Sequence, residues 1–265
     1  SVLSMARSLA LSIGPVVAGV IVAVAGPGWA LLADGLSFAV SAVVLAQVRL
    51  NQPSATMTAD RQADDQTPLG RLMHGVREVV QRPWVWSSIG FFAFAQFSTA
   101  VFLVLGSSLL ALHPGGSTRW VLVVCATGIG QLVGDLLSMR LRPRLPLLTA
   151  RLTGLLAAPV LLTLAWGSPL ALVTICAALA GVAITFCNTL WFTALQQHLP
   201  ASSLKVISAY DWAVSFALQP VGYLGAAAFA GLLGVTATLT LTAFLVTAAG
   251  LAGLALRDVR TMTYL

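Results

Sequence analysis

Long apolar runs separated by short polar breaks set the pattern of this chain. Eight runs reach the roughly 20 residues that a helix needs to cross a bilayer: about 2–25, 28–48, 85–112, 119–140, 147–166, 169–195, 207–231 and 235–256. Most breaks are too tight to hold a domain; Gly26-Pro27-Gly28 joins the first pair and Gly167-Ser168-Pro169 the fifth and sixth. One break is long. Residues 49–66 (RLNQPSATMTADRQADDQ) are polar without an apolar period and read as a linker. Residues 67–82 predict a helix, with Thr67 as cap, Pro68 in the first turn and Asp64 and Asp65 before its positive end. Leu69, Leu72, Met73, Val76 and Val80 form one stripe at helical spacing. Such a helix lies along the membrane surface or the inner face of a bundle. The chain divides into 1–48 (two spans), 49–83 (linker and amphipathic helix), 84–256 (six spans) and 257–265 (a tail).

Composition agrees with an all-α, polytopic membrane protein. Of 265 residues 58% are hydrophobic and 8% charged, against roughly 25% charged in soluble domains, and the mean hydropathy is +0.93. The net charge of +6 does not point to nucleic acid, because the basic residues sit in the breaks between apolar runs. There they report topology. Eight spans put alternate breaks on one side; of 14 Lys and Arg, only Arg119 falls on one side and the remaining 13 on the other. The basic side is expected to be cytoplasmic, with both chain ends. Trp29, Trp120 and Trp166 are expected near the outer interface and Trp84 and Trp86 near the inner one. Cys125, Cys176 and Cys187 all fall in apolar runs and show no metal or disulfide spacing. No HExxH, GxSxG or nucleophile–base set suggests an enzyme.

Carboxylates inside such runs are expensive in lipid and should face protein or a water-filled path. Three qualify: Asp34, Asp135 and Asp211. Asp34 lies six residues past Gly28, about 9 Å inside the outer edge, and either takes up and releases protons or reaches outer-face water. Asp135 lies in the basic-side third of its span, at a depth similar to Arg7; the two either pair, or Arg7 snorkels and Asp135 meets Arg140. Asp211 opens the seventh span near Lys205, where a negative charge suits a helix N-terminus and a structural role is expected. Midspan polar groups suggest a substrate path: Gln96 and Thr99 on the third span, Gln131 on the fourth, Asn188 and Trp191 on the sixth, Gln219 on the seventh.

The first two spans resemble the last two. Setting Pro15 on Pro220 aligns SLALSIGPV with AVSFALQPV, each followed by a Gly-bearing turn and another apolar span. The intervening length leaves room for six spans and a linker, and parallel repeats of this size are common in transporters. On that reading residues 84–256 are one six-span unit and 1–48 the last two spans of another, so four spans are expected upstream of a chain that opens without Met.

Three stretches, residues 6–45, 181–200 and 205–234, resemble the major facilitator superfamily and within it the bacterial exporters of the enterobactin-exporter type. The resemblance places this chain at spans five to twelve of a twelve-span helical bundle. Gly14, Pro15 and Gly19 match the family's antiporter motif on the fifth span, with Ala18 where Gly is preferred; Gly134-Asp135 with Arg140, Arg142 and Arg144 is a degenerate form of its Gly-x-x-x-Asp-Arg loop. The resemblance implies a multi-pass protein of the bacterial inner membrane that exports small amphipathic molecules by alternating access; the sequence leaves open uptake by the same fold and a non-transporting eight-span fragment. The resemblance also implies protons as the coupling ion, a small-molecule substrate, the lipid bilayer as partner, and no cofactor, metal or nucleic acid.

Overall fold

In the computed structural model, residues 21, 27–47, 76–77 and 79–263 are described, and every regular element among them is helical. We number these helices α1 (Pro27–Gln47), α2 (Pro83–Ala111), α3 (Gly116–Arg140), α4 (Pro146–Gly154), α5 (Ala158–Ala165), α6 (Leu170–His198), α7 (Ala201–Leu233), α8 (Val235–Leu254) and α9 (Arg257–Thr261). Six segments are long and apolar enough to cross a membrane, α4 and α5 counting as one, and α1 contains a further apolar helix at Leu31–Gln47. The first expected span and most of the helix expected over 67–82 lie outside the described residues.

Prolines punctuate the bundle. Pro83 and Pro146 open α2 and α4, and Pro169 and Pro200 are the caps of α6 and α7. A proline at a helix start loses only an N–H that had no partner there. Pro159 acts differently, because it sits inside the fifth expected span. It removes one helical hydrogen bond and crowds the carbonyl four residues back, and the chain responds with a 3-10 turn at Leu155–Ala157 between α4 and α5.

The six long segments pair as α3 with α6, α2 with α7, and α8 against α2, α4 and α5. The α3–α6 contact is backbone on backbone. Gly130 and Gly134 face Ala178 and Val182, and Gly181 faces Thr127 and Gln131, each at a distance that leaves no room for a Cβ. Lipid tails are as apolar as side chains, so close packing of small residues, not burial from water, holds such a pair. Thr185 adds a hydrogen bond from its hydroxyl to the Gln131 carbonyl at 2.9 Å. Among the described residues three apolar clusters fill the interior, one around Leu105, Leu161, Ala177 and Leu239, a second around Trp84, Trp191, Leu195 and Ile207, and a small third around Ala150, Phe186 and Leu190.

The second cluster lies at the end where α2, α4 and α7 begin and α3, α6 and α8 finish. The terminal segment, expected only as a tail, forms α9, which packs on α2, α4 and α8 with Val259 fully buried in that cluster. By contrast α1 has no extended packing against another described helix, and residues 31–47 are exposed. Trp29, Trp86 and Trp166 are exposed as an interfacial belt requires, but Trp84 is core and Trp120 packs on Phe102. The belt pattern reads depth along a helix and cannot tell which way the ring turns.

Candidate functional site

Two polar groups are built into the arginine-rich end of the bundle. The first joins α6 to α7. The Trp191 indole N–H donates to the Asp211 carboxylate at 2.9 Å, and the Ser215 hydroxyl donates to its other oxygen at 3.4 Å. All three side chains are buried, Trp191 at 1% exposure. An aromatic cage fixes the indole: Trp84 meets it edge-on with centroids 5.7 Å apart, Phe92 lies at 5.9 Å, and Trp84 also packs against the His198 ring at 6.4 Å. Edge-to-face rings orient one another, so the cage and the carboxylate hold the indole in the same orientation. His198 is the last residue of α6.

The second group centres on Arg151. Its position, five residues after Pro146 and about 8 Å along the helix, places it inside the span, not in the loop where its charge suggests. The side chain is 3% exposed. One guanidinium nitrogen donates to the Ser87 and Ser88 hydroxyls at 3.2 and 3.0 Å, and the guanidinium carbon stands 4.6 Å from the Phe91 ring centroid. The other terminal nitrogen is buried without a hydrogen-bond partner among the described residues. Gly253 on α8 makes the space; a Cβ there would come within 2.9 Å of the guanidinium. Next to it the Cys187 thiol donates to the Ala150 carbonyl at 2.9 Å and stands 3.3 Å from the Thr153 hydroxyl.

Arg151 supplies the smallest of our expected effects on stability. Ser88 already donates its proton to the Trp84 carbonyl at 2.7 Å, so losing the guanidinium uncovers acceptor sites on the Ser87 and Ser88 oxygens and no charge. Exchanging a buried charge for an apolar chain of similar volume is often neutral or better. Arg151→Met is expected to melt within about 1 kcal/mol of the parent, measured by thermal unfolding in detergent. A loss of several kcal/mol would show that the cation is held more firmly than two hydroxyls and a ring allow.

A family model of the Major Facilitator Superfamily matches residues 1–222. The chain belongs to this superfamily. No curated protein matches it. Superfamily members are transporters, not enzymes, so this protein is a multi-pass membrane transporter that works in the bilayer on a small-molecule substrate.

Within this superfamily bundle, the residues singled out from sequence fall in three groups. Arg7 and the motif residues Gly14, Pro15, Ala18 and Gly19 lie outside the described residues, as does the Lys205 side chain. Asp34 is exposed on α1, where its backbone carbonyl accepts from Ser37 at 2.7 Å. Asp135 is half-buried near the end of α3. Of the others, only Trp191 and Asp211 are joined directly. Gln96, Thr99, Gln131, Asn188 and Gln219 are half-buried on four different helices. Thr99 bonds its own helix at Ala95 and Gln219 donates to the Tyr223 hydroxyl at 3.0 Å, while the Gln131 side-chain oxygen is buried without a partner among the described residues. Sequence reasoning missed Arg151 as an interior residue. The signal was present, since the expected span 147–166 already contained it.

Proposed function

We propose that this transporter exports small amphipathic molecules, of drug or siderophore type, in exchange for protons. The superfamily match over residues 1–222 carries the transport reading. The three stretches resembling enterobactin-type exporters support the direction and the substrate class. Residues 1–48 then close one six-span half and residues 84–256 form the other, with the two halves rocking about a site near the bilayer midplane. Gln96, Thr99, Gln131, Asn188 and Gln219 offer that site scattered hydrogen-bond partners on otherwise apolar helices. Trp191, caged and bonded to Asp211 at the arginine-rich end, ties α6 to α7 there. Arg7 and Asp135 act as a gate at the basic, cytoplasmic side, and Asp34 carries the coupling proton. The bacterial inner membrane is the expected location.

Inverted membrane vesicles expressing the protein test this. An imposed pH gradient should drive accumulation of a fluorescent lipophilic cation, and Asp34→Asn should lower gradient-driven accumulation at least tenfold with equal protein in the membrane. Accumulation by right-side-out vesicles instead would make the protein an importer, and full activity of Asp34→Asn would remove the proton role from that residue.

A further inference from the structure

At the arginine-rich end, the last turns of α3 and α6, the α3–α4 loop and the chain after α9 enclose a pocket of about 590 Å³ lined by Ser138, Arg142, Arg144, Thr193, Gln197 and Thr263. Its hydrogen-bonding groups are unevenly spent. The Ser138 and Thr193 hydroxyls each donate to a carbonyl of their own helix, at 2.7 Å in both cases, so toward the pocket they offer only lone pairs. The Gln197 side-chain oxygen is covered by protein and has no donor among the described residues, so Gln197 adds wall and not an acceptor. Arg142 and Arg144 follow α3 in non-helical chain before Pro146, and no hydrogen bond or ion pair among the described residues engages either guanidinium.

The pocket therefore presents two free cationic forks and, beside them, acceptors that lack a donor. Planar guanidinium groups match phosphate oxygens with paired hydrogen bonds. A bare phosphate would leave the Ser138 and Thr193 lone pairs without a donor, whereas a phosphate ester carrying hydroxyls answers both demands. We propose that this pocket binds a phosphoglycerol group. Basic pockets between helices at a membrane face hold anionic lipid headgroups. Ile129, Val133, Leu136 and Met139 are exposed along one side of α3 at spacings of three and four residues, and Met139 is also part of the pocket lining. That apolar track runs into the pocket and suits an acyl chain, which favours the lipid over a free phosphoglycerol.

The test uses the full chain in phosphatidylcholine nanodiscs containing phosphatidylglycerol, with bound phosphatidylglycerol counted by native mass spectrometry. Arg142→Gln/Arg144→Gln is expected to weaken its retention roughly thirtyfold, at about a factor of five for each basic residue. Arg257→Gln/Arg260→Gln, a basic pair outside the pocket, should retain it. Ser138→Trp fills the pocket while keeping both charges and should lose retention too, which covers the case of an unfolded double variant. If glycerol 3-phosphate at equal headgroup concentration displaces the lipid, and binds the parent but not the double variant, the phosphoglycerol comes from solution and the lipid source is overturned. Retention unchanged in both pocket variants, or lost equally in the Arg257/Arg260 pair, overturns the site.

Discussion

Gly181→Ala is expected to lower the melting temperature of the detergent-solubilised protein by about 5 °C or more, whereas Gly90→Ala should leave it nearly unchanged. At Gly181 a Cβ would overlap the Thr127 carbonyl oxygen and lie 3.0 Å from the Gln131 amide nitrogen; at Gly90 it meets nothing within 4 Å. Both obstacles at Gly181 are backbone of α3, so no side chain can rotate aside and the two helices must part. A gap of 0.5–1 Å forfeits roughly a quarter to a half of each dispersion contact along the seam, and a bilayer returns no compensating hydrophobic gain. The cost belongs at the upper end of overpacking, about 3 kcal/mol, and each single kcal/mol moves a protein of this size by roughly 2–4 °C. Fluorescence-detected size exclusion after stepwise heating reads the difference. Equal melting of both variants would mean that α3 and α6 are not in backbone contact.

That seam shows why part of this fold is legible in the sequence. Span lengths are imposed by the membrane, so counting apolar residues places α2 at 85–112 against the observed Pro83–Ala111, and α3 at 119–140 against Gly116–Arg140. The glycines of α3 also show in the sequence, but their partner does not. Gly181 is one small residue among several in an apolar run, and only the packed helices single it out. Where polar residues extend a helix beyond the bilayer the count fails: α7 starts at Ala201, not at 207, because Pro200 caps it and nothing in the polar first turns stops it. The broken fifth span was readable from Pro159 and was read as continuous, since hydropathy is blind to a lost hydrogen bond.

Facing is the harder problem. In a soluble protein the polar side of a helix reveals its buried side. Here both lipid and core are apolar, so Trp84 and Trp86 look alike in sequence although the first is core and the second is 50% exposed. The same blindness hid Arg151. A basic residue near a span end is counted as a topology signal, and that rule holds whether the side chain snorkels out or turns in. The serines that draw it inward, Ser87 and Ser88, are 64 and 63 positions away in the chain.

The sequence makes Asp211 structural, from its place near a helix start, and Trp191 a cavity residue; their bond makes a sharper prediction than either expectation. Trp191→Phe keeps an aromatic six-membered ring and loses the fused pyrrole with its donor, which leaves the buried carboxylate with Ser215 alone among the described residues. Asp211→Leu leaves a buried indole N–H with no acceptor. Each single change should destabilise by about 1–3 kcal/mol, the cost of orphaning a buried polar group, and more for the charged one. Removing both partners together, in apolar groups of similar shape, is close to neutral by the same reasoning. The double variant is therefore expected to melt above at least one of its parents, a reversal that no additive model produces. Asp211→Asn should fall between, because its amide oxygen still accepts from the indole. If the two single losses simply sum in the double variant, the 2.9 Å contact contributes nothing, and the aromatic cage around Trp191 holds α6 in place without α7.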